Sequence, residues 1–391
     1  MQIIDDIIVY GDPVDPGALT QIKAARLTAV RACLMADHHK GYSVPIGGVV
    51  AYENAVSPSG VGYDIGCGNK AIRLSVRASE IDVSAILDEA MRVLRFGIGQ
   101  HNSETTAATH DLFDEPIWIE SELLTRDDRA LFKTALMQLG TIGYGNHYVD
   151  IFSDEDGFVW VGVHFGSRGL GHKIATHFLK AAGATDGMDV PPCVLSLDSD
   201  LGAQYWDHME LAGRYAYAGR DWVCNRLHQI IGGEITDTVH NHHNFAWKEA
   251  HFDKDENLKD YIVVRKGATP AFPGQRGFVG GSMGDDSVIL KGVVSAAGTD
   301  IMYSTVHGAG RVMSRTAAAG KWDYKKKVRK PGGAISPIMM NDWLKEKGVL
   351  LCGGGCDEAP QAYKRLTEVL AHHASTIRIL HTLKPLGVMM A

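Results

Sequence analysis

The chain has 391 residues, 45% hydrophobic and 22% charged, the balance of a soluble globular protein long enough to bury a large core. Its net charge of −7 argues against coating nucleic acid through bulk charge, and no run of 18 apolar residues offers a membrane span. The start, "MQIIDDIIVYGDPVDPG", is acidic with no basic n-region, so it does not read as a secretory signal and cytoplasmic residence is expected.

In chain order, "TRDDRALFKTALMQLG" (125–140) predicts a helix capped by Thr125 and ended at Gly140. "FVWVGVHFG" (158–166) reads as a strand, and "LGHKIATHFLKAAG" as a helix closed by Gly183. After the short strand "CVLSL" (193–197), residues 199–233 read as a long helical region with a break at Gly213 or Gly219. "YIVVRKGA" (261–268) and "SVILKGVV" (287–294) read as strands. "DEAPQAYKRLTEVLAHHAS" (357–375) predicts the last helix and "IRILHTLKPLGVMM" (377–390) the last strand. Gly supplies 44 residues, above the usual ~7%, and the excess sits in loops. With no repeat and no low-complexity linker, the expectation is an α+β (mixed α/β) fold in a single catalytic body, residues 1–391.

Four stretches carry candidate chemistry. "GVGYDIGCGNK" sets Asp64 three residues before Cys67 among glycines that let the backbone turn around an ion; a Gly-rich hairpin with a buried thiol is the competing reading. "LGTIGYGNHYVD" holds Asn146, His147 and Asp150, "VHFGSRGLGH" holds His164, and "VHNHHNFAWKEAH" holds histidines 240, 242, 243 and 251. All four read as loops. A single histidine is usually structural, but three such stretches beside an Asp-Cys turn point to imidazole and thiolate ligands. "GGSMGDDS" and "HGAGR" are small-residue loops whose N–H groups suit phosphate, and "VHGAGRVMSR" sets two arginines near His307. "GSRGLG" is a poor dinucleotide fingerprint, its glycines misordered.

The six cysteines form no C-x-x-C pair, and "CGGGC" (Cys352, Cys356) reads as a Gly-rich turn. "KWDYKKKVRK" (321–330), with six basic residues and one aspartate in an acidic chain, reads either as a solvated run or as an RNA-backbone patch.

"GYDIGCG", "GNHY", "HFGSRGLGH", "HHNFAWKEAH", "RKGATPAFPG", "GGSMGDDS", "HGAGRVMSR" and "DEAPQAYK" occur in the order seen in the RtcB family of RNA ligases, and the chain resembles that family from Asp37 to its end. "MADHHKGYSVPIGG" resembles its Pro-Asp-x-His-x-Gly signature, with Ala36 where proline is usual. The resemblance implies joining of RNA 3'-phosphate or 2',3'-cyclic phosphate ends to 5'-hydroxyl ends, in RNA repair or tRNA splicing, with GTP as co-substrate and two Mn2+ ions. It implies a covalent GMP intermediate on His307. Asp64, Cys67 and His147 would hold one ion, and Cys67, His164 and His243 the other, the thiolate bridging. Asn146, His147, Asp150, His243, Asn244, Gly280, Gly281, Ser282, Met283, Ser287, the loop His307, Gly308, Ala309 and Gly310, and Tyr363 would line the nucleotide site. His243, not His240, is in register with Asn-x-Ala-x-x-Glu-x-His. The implied partners are RNA and GTP, with room for a protein activator and no role for a membrane.

Two departures stand out. Asp150 replaces the family's usual glutamate, and Met390 stands where a penultimate lysine contacts the nucleotide. The tail "KPLGVMMA" resembles the branch found beside a release-factor-like protein. An extended tail would leave Lys384 too far away to replace that lysine. Rival expectations are a guanylyltransferase that caps 3'-phosphate ends without sealing them, and a binuclear-metal phosphohydrolase.

Overall fold

The computed structural model describes residues 1–104, 109–185, 187–323 and 328–391. Among these, two sheets dominate, giving the mixed α/β architecture expected. The first runs Gln2–Ile4, Ile7–Val9, Arg31–His39, Ile46–Tyr52, Leu258–Lys266, Asn244–Phe252. The second runs Ile235–His242, Gly68–Arg77, Phe158–Phe165, Tyr148–Ser153, Ile377–Met390, Ser287–Gly292, Arg276–Val279, with Leu350–Cys352 alongside Ile377–Met390. The chain passes from the second sheet to the first at one residue, His243, between the strands Ile235–His242 and Asn244–Phe252. Histidines 240, 242 and 251, expected in loops, therefore lie on strands, and His164 lies on the strand expected over 158–166. Gly162 beside His164 serves close packing, a Cβ there standing 2.7 Å from the Phe152 and Phe278 rings, and Asn241 between His240 and His242 accepts at Oδ1 from Phe278 N (3.0 Å).

The helix Asp200–Ile231 runs unbroken, capped by Ser199, whose Oγ accepts from Gly202 N (3.1 Å). The expected break at Gly213 or Gly219 is absent. A Cβ at Gly213 would lie 2.6 Å from the Phe245 ring, so this glycine buys close approach at a helix-propensity cost of about 1 kcal/mol. The helix Arg168–Ala181 packs on it and ends as predicted, with Gly183 at φ +67°.

Other boundaries shift. Ser121, not Thr125, caps the helix Glu122–Gln138; the Thr125 hydroxyl instead donates to Ser121 O (2.8 Å). Asp127, Asp128 and Arg129 take positive φ and kink that helix. Residues 357–375 keep only Leu366–Ala371 as α-helix. The 3-10 turns Cys356–Glu358 and Pro360–Ala362, the second opening on Pro360, take the place of its expected first turns. "CVLSL" shrinks to Leu195–Ser196, whereas Ile377–Met390 matches the predicted strand at both ends. In the basic stretch, Lys325, Lys326 and Lys327 lie outside the described residues.

Candidate active site

Cys67, His147 and His164 bring their ligand atoms within 4.8 Å of one another at the junction of the two sheets. Cys67 ends a turn in which its N–H donates to Asp64 O (3.0 Å), and its own carbonyl accepts from His243 N (2.8 Å). That bond ties the Asp64–Cys67 turn to the crossing residue between the sheets. His147 Nδ1 donates to Ile142 O (3.1 Å), and its Nε2 lies 3.0 Å from Asp64 Oδ2 and 3.8 Å from Cys67 Sγ. Likewise His164 Nδ1 donates to Asn69 Oδ1 (2.6 Å), fixed because Asn69 Nδ2 donates to Phe278 O, leaving Nε2 3.6 Å from Cys67 Sγ. The His243 ring stacks on His164 (5.1 Å between centroids), and its buried Nδ1 has no hydrogen-bond partner.

This donor set fits a cation. In the neutral ring the His147 Nε2 lone pair faces the Asp64 carboxylate, which repels unless a positive charge sits between them, while His164 Nε2 turns its lone pair toward Cys67 Sγ and Asn146 Nδ2 (3.3 Å). Burial, reinforced by neighbouring imidazole charge, holds His164 and His243 well below the usual histidine range and so in their ligating form. Burial opposes ionisation of Asp64, but His147 beside it lowers its pKa to about 2. Burial and the Asp64 charge push the Cys67 thiol up, so this thiolate needs a cation to form.

His307 faces the same space, its ring 4.9 Å from that of His243. Its Nδ1 donates to Asp37 Oδ2 (2.5 Å), which also accepts from the backbone N–H of His307 (2.9 Å) and Gly308 (3.3 Å). Burial works against the Asp37 charge; His307 outweighs it and holds the carboxyl below its usual range. Nδ1 thus keeps the proton and Nε2 is left with the free lone pair. Gly310 has φ +76°, and a Cβ there would stand 2.2 Å from Asp37 O, so the loop can close on Asp37 only with glycine.

A cavity of about 860 Å³ joins these groups. Asp64, Cys67, Asn146, His147, Asp150, His164, His243, Asn244, Gly280, Gly281, Ser282, Met283, His307, Gly308, Ala309, Gly310 and Tyr363 all line it. Ser287 does not; it is buried behind the loop, where its Oγ accepts from Gly281 N (3.0 Å). Asn244 braces the site, with Oδ1 accepting from Gly267 N (2.7 Å). Asp150 is buried with Oδ1 unpartnered, and burial pushes its carboxyl well above the usual range. Arg311 and Arg315 are not bare anion donors: both bind Glu358 (2.9 and 2.5 Å), and Arg311 also donates to Tyr363 Oη (2.8 Å). Met390 lines the cavity opposite Tyr148, while Lys384 pairs with Ser153 at the far end of that segment, so the tail stays extended.

Several supporting residues escaped sequence reasoning. Asp37 stood inside a quoted signature without a role. Arg220, fully buried, donates to Gly66 O (2.9 Å), Phe165 O (2.6 Å) and His240 Nε2 (2.9 Å), bracing both ligand-bearing stretches. Glu249 and His251 join Arg265 in a buried network. Arg265 donates twice to Glu249 (2.7 and 2.9 Å), to Ser304 Oγ (2.8 Å) and to Met302 O (2.7 Å).

The family model described as tRNA-splicing ligase RtcB matches residues 19–391. The RNA-splicing ligase RtcB of Escherichia coli is 30% identical over 411 residues, covering 96% of this chain and 94% of that protein. The tRNA-splicing ligase RtcB of Archaeoglobus fulgidus is 30% identical over 437 residues, covering 92% and 87%. The RNA-splicing ligase RtcB of Mycobacterium bovis is 29% identical over 428 residues, covering 90% and 95%. A match of this extent, over a site assembled from the same motifs, is decisive: the chain belongs to the RtcB ligase family.

Proposed function

We propose that the chain, acting as one catalytic body, is a GTP- and Mn-dependent RNA ligase that joins 3'-phosphate or 2',3'-cyclic phosphate ends to 5'-hydroxyl ends through GMP carried on His307. One observation carries the reading: His307, its Nδ1 fixed by Asp37, stands beside the Cys67, His147, His164 and His243 donor set in one cavity. His307 Nε2 would attack the α-phosphorus of GTP, forming a P–N bond as the P–O bond to pyrophosphate breaks. Asp37 stabilises the positive charge that the ring gains. A cyclic end is first opened by water to a 3'-phosphate; GMP then passes from His307 to that phosphate as the P–N bond breaks, and the 5'-hydroxyl displaces GMP to seal the strand. Two divalent cations, held by Asp64, Cys67 and His147 and by Cys67, His164 and His243, would neutralise phosphate charge. The Gly280–Met283 and His307–Gly310 backbones and Tyr363 would receive the nucleotide.

Labelled GTP with Mn2+ tests this. An acid-labile GMP adduct is expected on the wild-type chain and none on His307→Ala, which should still seal RNA bearing a pre-made 3' guanylate cap. An equal adduct on His307→Ala would remove His307 from the chemistry. End-joining by the wild type then separates a ligase from a capping guanylyltransferase.

A further inference from the structure

The cavity has a second arm that the proposed chemistry does not use. Gly267 marks where it begins: a Cβ there would lie 3.1 Å from the His307 ring on one side and 2.4 Å from Ile46 Cγ2 on the other. Next along the arm, Lys266 Nζ donates to Tyr42 O (2.5 Å) and Ser59 O (3.0 Å). Beyond it Tyr42, Tyr63 and Met188 form the cavity wall. Tyr42 is 54% exposed and Met188 40% exposed. The Tyr42 and Tyr63 rings meet edge to face at 6.5 Å, and Tyr63 stacks on His172 at 5.1 Å.

This wall is built, not incidental. Buried Gln21 donates to both Gly41 O (2.6 Å) and Met188 O (2.5 Å), and its Oε1 accepts from Gly41 N (2.9 Å). One amide thus joins the backbone next to Tyr42 to that of Met188, segments 147 residues apart. Ser43 Oγ adds a bond to Val190 O (3.0 Å). Charge in the arm is balanced: Lys40 pairs with Asp189 (2.6 Å), and Asp15 also lines the wall. Phosphate attraction therefore does not dominate there, and apolar ring faces do.

We propose that Tyr42, Tyr63 and Met188 form a stacking platform for the terminal nucleobase of the single-stranded RNA whose end reacts at the His307 centre. The inference rests on the ligase reading above. Every base offers a π face, so such a platform accepts RNA ends without regard to sequence while holding the terminal phosphate or hydroxyl at the reacting groups. The glycine N–H groups and the Arg311–Tyr363–Glu358 cluster, offered above to the nucleotide, form a separate part of the same wall.

The probe is single-stranded RNA with 2-aminopurine as its terminal base, made in two forms, one ending in a 3'-phosphate and one in a 5'-hydroxyl. On wild type, binding should quench the fluorescence of at least one form, and the form quenched identifies the strand. Tyr42→Ala, at an exposed position that tolerates truncation, should abolish the quenching and raise half-saturating RNA about tenfold, within the roughly 5- to 150-fold that 1–3 kcal/mol of stacking represents. Tyr42→Phe should restore both. Absence of quenching on wild type, or unchanged quenching and binding in Tyr42→Ala, overturns the platform. So does failure of Tyr42→Phe to rescue, because the hydroxyl would then be the group in use. GMP-adduct formation by the wild type without RNA reads the ligase assignment separately.

Discussion

Glu249→Gln keeps the shape of a buried side chain and removes its charge, leaving the Arg265 guanidinium without its counter-ion. Glu249 accepts two bonds from Arg265 and one from His251 (2.8 Å), and the Arg265 and His251 side chains are both 0% exposed. Breaking a buried pair from one side costs about 3–5 kcal/mol. Unfolding entropy of about 2.1 cal/mol/K per residue gives roughly 0.8 kcal/mol/K for a chain of this length. The melting temperature should therefore fall by about 4–6 °C. The functional effect comes through position. Arg265 also holds Ser304 and the Met302 carbonyl, and Met302 and Tyr303 take φ of 53° and 45° just before His307. Loosening that left-handed turn moves His307, the proposed nucleophile, and a misplacement near 1 Å costs about 100-fold. GMP-adduct formation at saturating GTP should thus slow by roughly 10- to 100-fold.

Calorimetry and a single-turnover adduct assay read the two effects. A melting temperature within about 1 °C of wild type together with an unchanged adduct rate would refute the argument. Acid supplies a further check. Burial would raise the Glu249 pKa, but Arg265 and His251 hold it below the usual range. Its stabilisation is then complete above the ordinary glutamate value of about 4.3 and is lost as pH falls through the lower folded value. The gap in melting temperature between wild type and Glu249→Gln should narrow below about pH 4.

Asp37→Asn should cut adduct formation by about 10²- to 10⁴-fold while the metal content stays intact, since it removes no ligand but takes away the carboxylate charge that steadies the His307 ring and adds an amide donor that can reverse its tautomer; an active variant would show that the ring is held by something else. Cys67→Ala should lose both cations by elemental analysis, whereas Cys352→Ala and Cys356→Ala should keep them, and full occupancy in Cys67→Ala would end the bridging assignment. Met390→Lys should lower half-saturating GTP several-fold by setting an ammonium in the cavity wall. Lys384→Ala should change it less than twofold, because an extended segment holds Lys384 roughly 20 Å away; a large effect of Lys384→Ala would contradict the strand register.

The site was legible where a short stretch carries its own constraint. Asp64 and Cys67 share one turn, and His307 sits in a glycine loop, so spacing marked them as candidates and the family resemblance supplied the roles it implies. What stayed hidden are pairings across the chain. Asp37 lies 270 residues from its partner His307, and Asn69 lies 95 residues from His164. No periodicity reports such contacts. The strands Arg31–His39 and Ile235–His242 were unreadable for a related reason. The first is buried along nearly its whole length yet carries Asp37, His38 and His39, and the second carries His240 and His242. A buried strand advertises itself by apolar residues, and here those positions hold groups that fix the His307 ring and brace the turn at Cys67. The same logic explains the helix glycines. Gly213 looks like a breaker in sequence, but its missing side chain is what lets the helix meet Phe245, two residues beyond His243. Sequence rules for local structure thus failed most where the backbone and its polar groups were committed to building the centre around Cys67 and His307.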